Sequence, residues 1–156
     1  MKKALVGNVL FGFDFEISQW VASRIPTFTA SSGATALGVV DGTDIIAGVV
    51  YERYNGVHVE VSIAADDKRW ASKKTLFSLF HYPFIQLNCL AMSVVVPSSN
   101  LESLNLATKL GFEGEAIIKY AAPDGSSLII LKQYRENCKW IGEPNGQRLK
   151  QRTGST

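Results

Sequence analysis

The sequence predicts a mixed α/β domain with a sheet flanked by helices, and three observations carry that prediction. Residues 57–64 alternate strictly, with Val57, Val59, Val61 and Ile63 on one face and His58, Glu60 and Ser62 on the other, as in a half-covered strand. Residues 90–96 form a near-continuous apolar run, the pattern of a central strand covered on both faces. Segments with helical spacing stand between and after these strands, and a sheet under helices buries both kinds of apolar face.

Each element follows in chain order. Residues 4–11 read as a first strand. Residues 13–25 read as an amphipathic helix with Phe15, Trp20 and Ile25 available for burial, closed by Pro26. A polar loop over 27–33 leads to two strands, 34–40 and 45–54, around the hairpin turn Asp41-Gly42-Thr43-Asp44. Asn55-Gly56 then turns the chain into the alternating strand. Asp66 or Asp67 caps a helix over about 69–82, where Trp70, Phe77, Phe80 and Phe84 recur at helical spacing. Pro83 ends it, because the residue before a proline is driven out of the helical region. After the apolar strand, Ser99 and Glu102 form a capping-box pattern for a helix that runs to Leu110 and buries Leu101, Leu104, Ala107 and Leu110. Gly111 supplies its left-handed C-cap. A last hairpin, 116–122 and 128–134, turns at Pro123-Asp124-Gly125. Beyond Ile141 there is no periodicity, so a single domain over 1–141 with a basic, loose tail over 142–156 is expected.

Composition narrows the function. The chain has 156 residues, 46% hydrophobic and 19% charged, which suits one compact domain and argues against disorder. No apolar run is long enough to span a bilayer. Lys2 and Lys3 precede an apolar stretch, but Asp14 and Glu16 follow closely without a small-residue cleavage site, which argues against a signal peptide. Cys89 and Cys138 lie in no metal-type spacing and read as thiols of a reducing compartment, so a cytoplasmic protein without a metal is expected. A net charge of +2 does not by itself imply nucleic acid. Its distribution is uneven: Lys68, Arg69, Lys73 and Lys74 cluster in one loop, and Lys132, Arg135, Lys139, Arg148, Lys150 and Arg152 crowd the end of the chain. A solvated surface is the plain alternative for either group.

Three places can carry chemistry. The cations around the 69–82 helix crowd its N-terminus, where the helix dipole disfavours positive charge by about 0.3–1 kcal/mol each. Free N–H groups, dipole and Lys/Arg together make a phosphate site, against the alternative of a charged face without a ligand. On the preceding strand, Glu60 is either a general base raised toward neutrality by burial or an ordinary salt-bridged carboxylate. His58 shares its face but shows no Asp or Cys partner, so neither a triad nor a metal site is inferred. Asn100 and Ser103 stand on the first turn of the next helix, where they serve either as cap residues or as a functional pair.

Taken in order, Trp70 with residues 73–80, Tyr82-Pro83-Phe84, Gln86-Leu87, Val94-Val95-Val96-Pro97, Asn100, Ser103, residues 109–112, Glu113-Gly114-Glu115, Ala122-Pro123-Asp124-Gly125 and Arg135-Glu136-Asn137-Cys138-Lys139-Trp140 resemble the GNAT superfamily of acyl-CoA-dependent N-acyltransferases. The likeness spans about 45–140 and is similar to the branch holding ribosomal-protein N-terminal acetyltransferases and phage or prophage acetyltransferases. The resemblance implies a mixed, mostly antiparallel sheet whose central parallel pair splays, the strand of Glu60 parting from the strand of Val94. It implies acetyl-CoA in that V, with pantetheine hydrogen-bonded along Ser62, Ile63 and Ala64 like an added strand. The pyrophosphate falls on Lys68, Arg69, Trp70, Ala71, Ser72, Lys73 and Lys74, and Asn100 touches the pantetheine arm. An amine then attacks the thioester directly in a ternary complex, with a base to take its proton and an acid for the departing thiolate.

Two departures stand out. The family's phosphate loop carries glycines for close backbone approach, and here Trp70 and Ser72 stand at their places. Many relatives have a tyrosine acid four residues before the Gly-Phe pair, and here that residue is Ala107. The N-terminal acetyltransferase branch has instead a serine three residues after the asparagine, which Ser103 matches. Ser103 is thus the expected acid and Glu60 the expected base. The expected acceptor is a primary amine: a protein N-terminus, a lysine or a small amine. Two other functions fit the scaffold. One is a nucleic-acid-base-modifying protein whose basic tail and Trp140 contact phosphates; the other is a non-catalytic CoA-binding or interaction module, suggested by the missing glycines. No membrane contact is expected, and the chain acts as a monomer or homodimer.

Overall fold

The computed structural model describes residues 2–26 and 28–142. Its strands are β1 (Ala4–Val6), β2 (Val9–Phe11), β3 (Thr35–Asp41), β4 (Asp44–Glu52), β5 (His58–Ala65), β6 (Ala91–Pro97), β7 (Glu113–Ile118) and β8 (Leu128–Tyr134). Its α-helices are α1 (Asp14–Ala22), α2 (Lys73–His81) and α3 (Leu101–Leu110). One sheet runs in the order β1-β2-β3-β4-β5-β6-β8-β7. All neighbours pair antiparallel except β5 and β6, which are parallel. The mixed, mostly antiparallel sheet with a central parallel pair is therefore present.

The parallel pair is short. It consists of His58↔Ala91, Val59↔Met92 and Glu60↔Ser93, although β5 continues to Ala65 and β6 to Pro97. Past the rung Glu60↔Ser93 the two strands part. The outer neighbours keep their partners along that length: β4 pairs β5 to Ala65, and β8 pairs β6 to Pro97. The sheet thus stays whole on both sides and opens only in the middle.

Helices cover the sheet unequally. Val59, Val61, Met92, Val94 and Val96 join Leu76, Leu79 and Phe80 of α2 and Ala107 and Leu110 of α3 in the main core. On the opposite face a second cluster joins Ile17 and Val21 of α1 to Ala36 and Val50. Gly38 and Gly48 pair across β3 and β4 and leave bare backbone beneath α1. A Cβ at Gly38 would lie 2.5 Å from Ile17 Cδ1, and one at Gly48 2.6 Å from Val21 Cγ2. These two glycines set how closely α1 lies on the sheet.

Several local expectations are corrected. Residues 4–11 form not one strand but the hairpin β1–β2, because Gly7 takes a left-handed φ of 62° between them. In α1, Phe15 is 71% exposed, and Ile17, Ser18 and Val21 face the sheet instead. The helix expected over 69–82 is split: Asp67 caps a 3-10 turn, Lys68–Trp70, and Ser72 caps α2 by accepting from Thr75 N. Leu76, Leu79 and Phe80 form its buried stripe while Phe77 is exposed. Pro83 does not stop the chain from coiling, since a π-helical turn, Tyr82–Gln86, runs through it. The capping box is absent: Asn100 caps α3, and Ser99 Oγ donates to Asp124 2.6 Å away. Leu101 points outward at 68% exposure, so Ala107 and Leu110 carry the burial. The last hairpin begins three residues earlier than expected, at Glu113. Gly111 does take the left-handed C-cap, with φ 103°.

Candidate active site

The parting of β5 from β6 opens a cleft of about 940 Å³. Val61, Ser62, Ile63 and Ala64 form one wall, and Val94, Val95, Val96 and Pro97 the other. The first turns of α3 close it with Asn100, Ser103 and Ala107, and Arg24, Ile25 and Pro26 reach it from the end of α1. On the cleft side, β5 has no strand partner past Glu60 among the described residues. A strand pairs on both sides, so residues 61–65 offer unused backbone N–H and C=O groups to whatever enters.

The structure brings together Ser62, Ile63, Ala64, Lys68, Trp70, Ala71, Asn100 and Ser103 around this cleft. Asn100 Oδ1 accepts from Ser103 N at 3.1 Å, so half of its amide is used as the helix cap and its Nδ2 remains. The Ser103 hydroxyl makes no hydrogen bond to the described residues and stands on the cleft wall. It is available as a donor to an incoming atom. α3 ends in a Schellman arrangement, with Phe112 N bonded to Ala107 O and Gly111 N to Thr108 O, both at 3.0 Å. Gln133 Nε2 and Trp140 Nε1 donate to Leu110 O, so the far end of the helix is fixed as firmly as its cap.

The basic loop is less free than its sequence suggests. Arg69 forks onto Asp67, with Nη2 2.7 Å away, and reaches Asp41 at 3.0 Å. That hydrogen bonding holds the Asp67 carboxyl down at about 2. Arg24 likewise grips Asp66 with two bonds of 2.8 Å and stacks on Trp20. The two acids at the cleft mouth are therefore already neutralised. Lys68, Lys73 and Lys74 form no ion pair among the described residues. Trp70 is 3% exposed and anchors the turn in the main core. Ser72, Lys73 and Lys74 are exposed at the start of α2, where the first-turn amides have no intrahelical acceptor.

Glu60 lies on the last paired rung rather than on the cleft wall, with its carboxylate 3.5 Å from Arg53. Trp140 is occupied inside the fold, bonded to Leu110 O and stacked on Phe80. Lys132 pairs with Glu115, and Arg135 donates to Asn88. Arg148, Lys150 and Arg152 lie outside the described residues. No group of His, Cys, Asp and Glu among the described residues could hold a metal ion. No described helix is long and apolar enough to cross a membrane.

Sequence reasoning missed the contribution of Arg24, Ile25 and Pro26, because nothing local ties the end of α1 to β5. It also missed a partner for His58, whose Nε2 lies 2.9 Å from Ser93 Oγ.

A mostly antiparallel sheet with one parallel pair that opens midway, and a helix N-terminus facing the opening, defines a particular class of α/β fold. Solved structures place the chain within it: this is the fold of the GNAT acetyltransferases. A GNAT-family acetyltransferase from Bacillus anthracis superposes with a TM-score of 0.62 at 12% identity, over 86% of this chain and 98% of that one. A mutant form of the spermidine N-acetyltransferase SpeG from Vibrio cholerae superposes with a TM-score of 0.61 at 15% identity, over 72% of this chain and 69% of that one. No protein-family model and no curated protein matches the sequence.

Proposed function

We propose that the protein is an N-acetyltransferase that moves the acetyl group of acetyl-CoA to a primary amine by direct attack in a ternary complex. The observation that carries this is the parting of β5 and β6 after Glu60↔Ser93, which leaves an unpaired strand edge beside the N-terminus of α3. Acetyl-CoA supplies the activated acetyl group. Residues 62–64 hydrogen-bond its amide-bearing arm along the free edge of β5, and Asn100 Nδ2 adds a donor from α3. Lys68, Lys73, Lys74 and the open amides of residues 71–74 receive its phosphates, with cations standing in for the glycine-lined approach. Arg69 holds Asp67 in place rather than touching phosphate.

Ser103 protonates the departing thiolate, supported by its unpartnered hydroxyl on the cleft wall. Acceptors are a protein N-terminus, a lysine or a small amine, as for the spermidine-acetylating neighbour. The Ser103→Ala enzyme should lose turnover about tenfold or more while binding acetyl-CoA with nearly unchanged affinity, since one general acid contributes about 10²–10⁴-fold. Steady-state rates over a panel of amines, beside calorimetric titration with acetyl-CoA, check this. Equal loss of binding and rate would assign Ser103 a structural role.

A further inference from the structure

We propose that Ser93 and His58 form the proton relay that accepts the acceptor amine's proton, an inference that rests on the acetyltransferase reading above. Ser93 belongs to the last rung before the V opens, across from Glu60, and is 5% exposed. His58 is two residues back on the same face of β5, and its Nε2 is 2.9 Å from Ser93 Oγ. On this face the α1 cluster takes in Ala64 of β5 and leaves His58, Glu60 and Ser62 outside it. Above the rung on that face stand Ser62, half-buried, and Val95, 44% exposed. An amine that meets a thioester in the V from this open side comes down between them, onto the Glu60–Ser93 rung.

The neighbours favour the imidazole over the carboxylate as the proton's destination. Glu60 is turned to Arg53, which also lies 3.7 Å from the buried Glu52. Across the sheet, Lys132 of β8 pairs with Ser93 and Tyr134 with Ala91, so Glu60, Glu52, Lys132 and Tyr134 share the ring's face of the sheet, Lys132 being itself paired with Glu115. Burial, and then the charge of Lys132, lower His58 from its ordinary 6.5 against an opposing pull from Glu60. The ring is therefore neutral at pH 7, with a lone pair available at Nε2 when the ring proton is on Nδ1.

In the step itself, the amine nitrogen bonds to the acetyl carbonyl carbon and the carbon–sulfur bond breaks. The nitrogen's proton passes to Ser93 Oγ as the Ser93 proton passes to His58 Nε2, leaving an imidazolium. The thiolate takes a separate proton from Ser103. No other co-reactant is needed: between turnovers the imidazolium releases its proton to solvent and Ser103 takes one back from it.

The chain has only two histidines, so imidazole NMR resolves the case. In the wild-type protein, His58 should show the Nδ1–H tautomer and titrate below 6.5, and saturating acetyl-CoA should shift its signals while leaving those of His81 in place. Ser93→Ala should shift the His58 titration, and Ser93→Thr should restore it. With an amine from the panel, His58→Gln should lower kcat at least tenfold, leave KM for acetyl-CoA unchanged and abolish the acid limb of the pH–rate profile. An Nε2–H tautomer, or acetyl-CoA that binds by calorimetry without moving His58, would overturn the relay and leave the acetyltransferase reading intact. Absence of acetyl-CoA binding to the wild-type protein would overturn that reading, and the relay with it.

Discussion

Tyr51 explains how the chain survives Pro83. In a continuous helix the residue at 83 would donate to Leu79 O, but proline has no N–H. Tyr51 Oη donates to that carbonyl instead, at 2.6 Å, from inside the core. Burial pushes its hydroxyl well above the usual tyrosine value, so it stays protonated and remains a donor. The turn then closes with Leu87 N on Tyr82 O at 2.9 Å. Tyr51→Phe keeps the ring and leaves the Leu79 carbonyl buried and unpaired, which should cost about 1–3 kcal/mol of stability in denaturant titrations. Pro83 was legible in the sequence as a helix stop because that rule considers only neighbours in the chain. Its compensating donor lies on β4, with the whole of β5 in between, and no local pattern announces it.

At the level of elements, α3 is the piece on which the site depends, and most of it was legible. Gly111 was read correctly as the left-handed C-cap from local chemistry, whereas first-turn Leu101, expected in the buried stripe, points outward. The N-cap was not legible, since Ser99 and Asn100 compete for the same role and a distant loop decides between them. Asp124, in the β7–β8 connection, takes Ser99 Oγ at 2.6 Å and the Ser126 hydroxyl at 2.6 Å, which leaves Asn100 to cap the helix. These bonds, that from Ser126 first, hold the Asp124 carboxyl down at about 2. A carboxyl depressed in the folded state stabilises it fully above the ordinary value of 3.8 and loses that contribution as pH falls through about 2. Asp124→Ala should therefore lower Tm at pH 7. The gap from wild type should narrow below pH 3.8 and close near pH 2, as followed by thermal melts across pH.

For the whole molecule, the alternating strand and the apolar strand form the two walls of the cleft, and both strands are legible in the sequence. Alternation and burial are properties of each strand alone, so a single sequence shows them. That the two strands are parallel, pair over three rungs and then separate depends on what β4 and β8 do on either side. That information is spread over most of the chain. The same holds for His58, which has no partner within β5 and finds one on β6 only after the strands pair. The basic loop was legible as charge but not as geometry, because Asp41 and Asp67 hold the Arg69 guanidinium.

The central claim is that acetyl-CoA enters the V as an added strand on β5. Amide hydrogen exchange with and without acetyl-CoA tests it most directly. Exchange should slow at the amides of residues 61–65 that face away from β4, and at those of 71–74 at the start of α2, while β1 and β2 are unchanged. Unaltered exchange along β5 under saturating acetyl-CoA, or protection confined to another part of the sheet, would contradict the account.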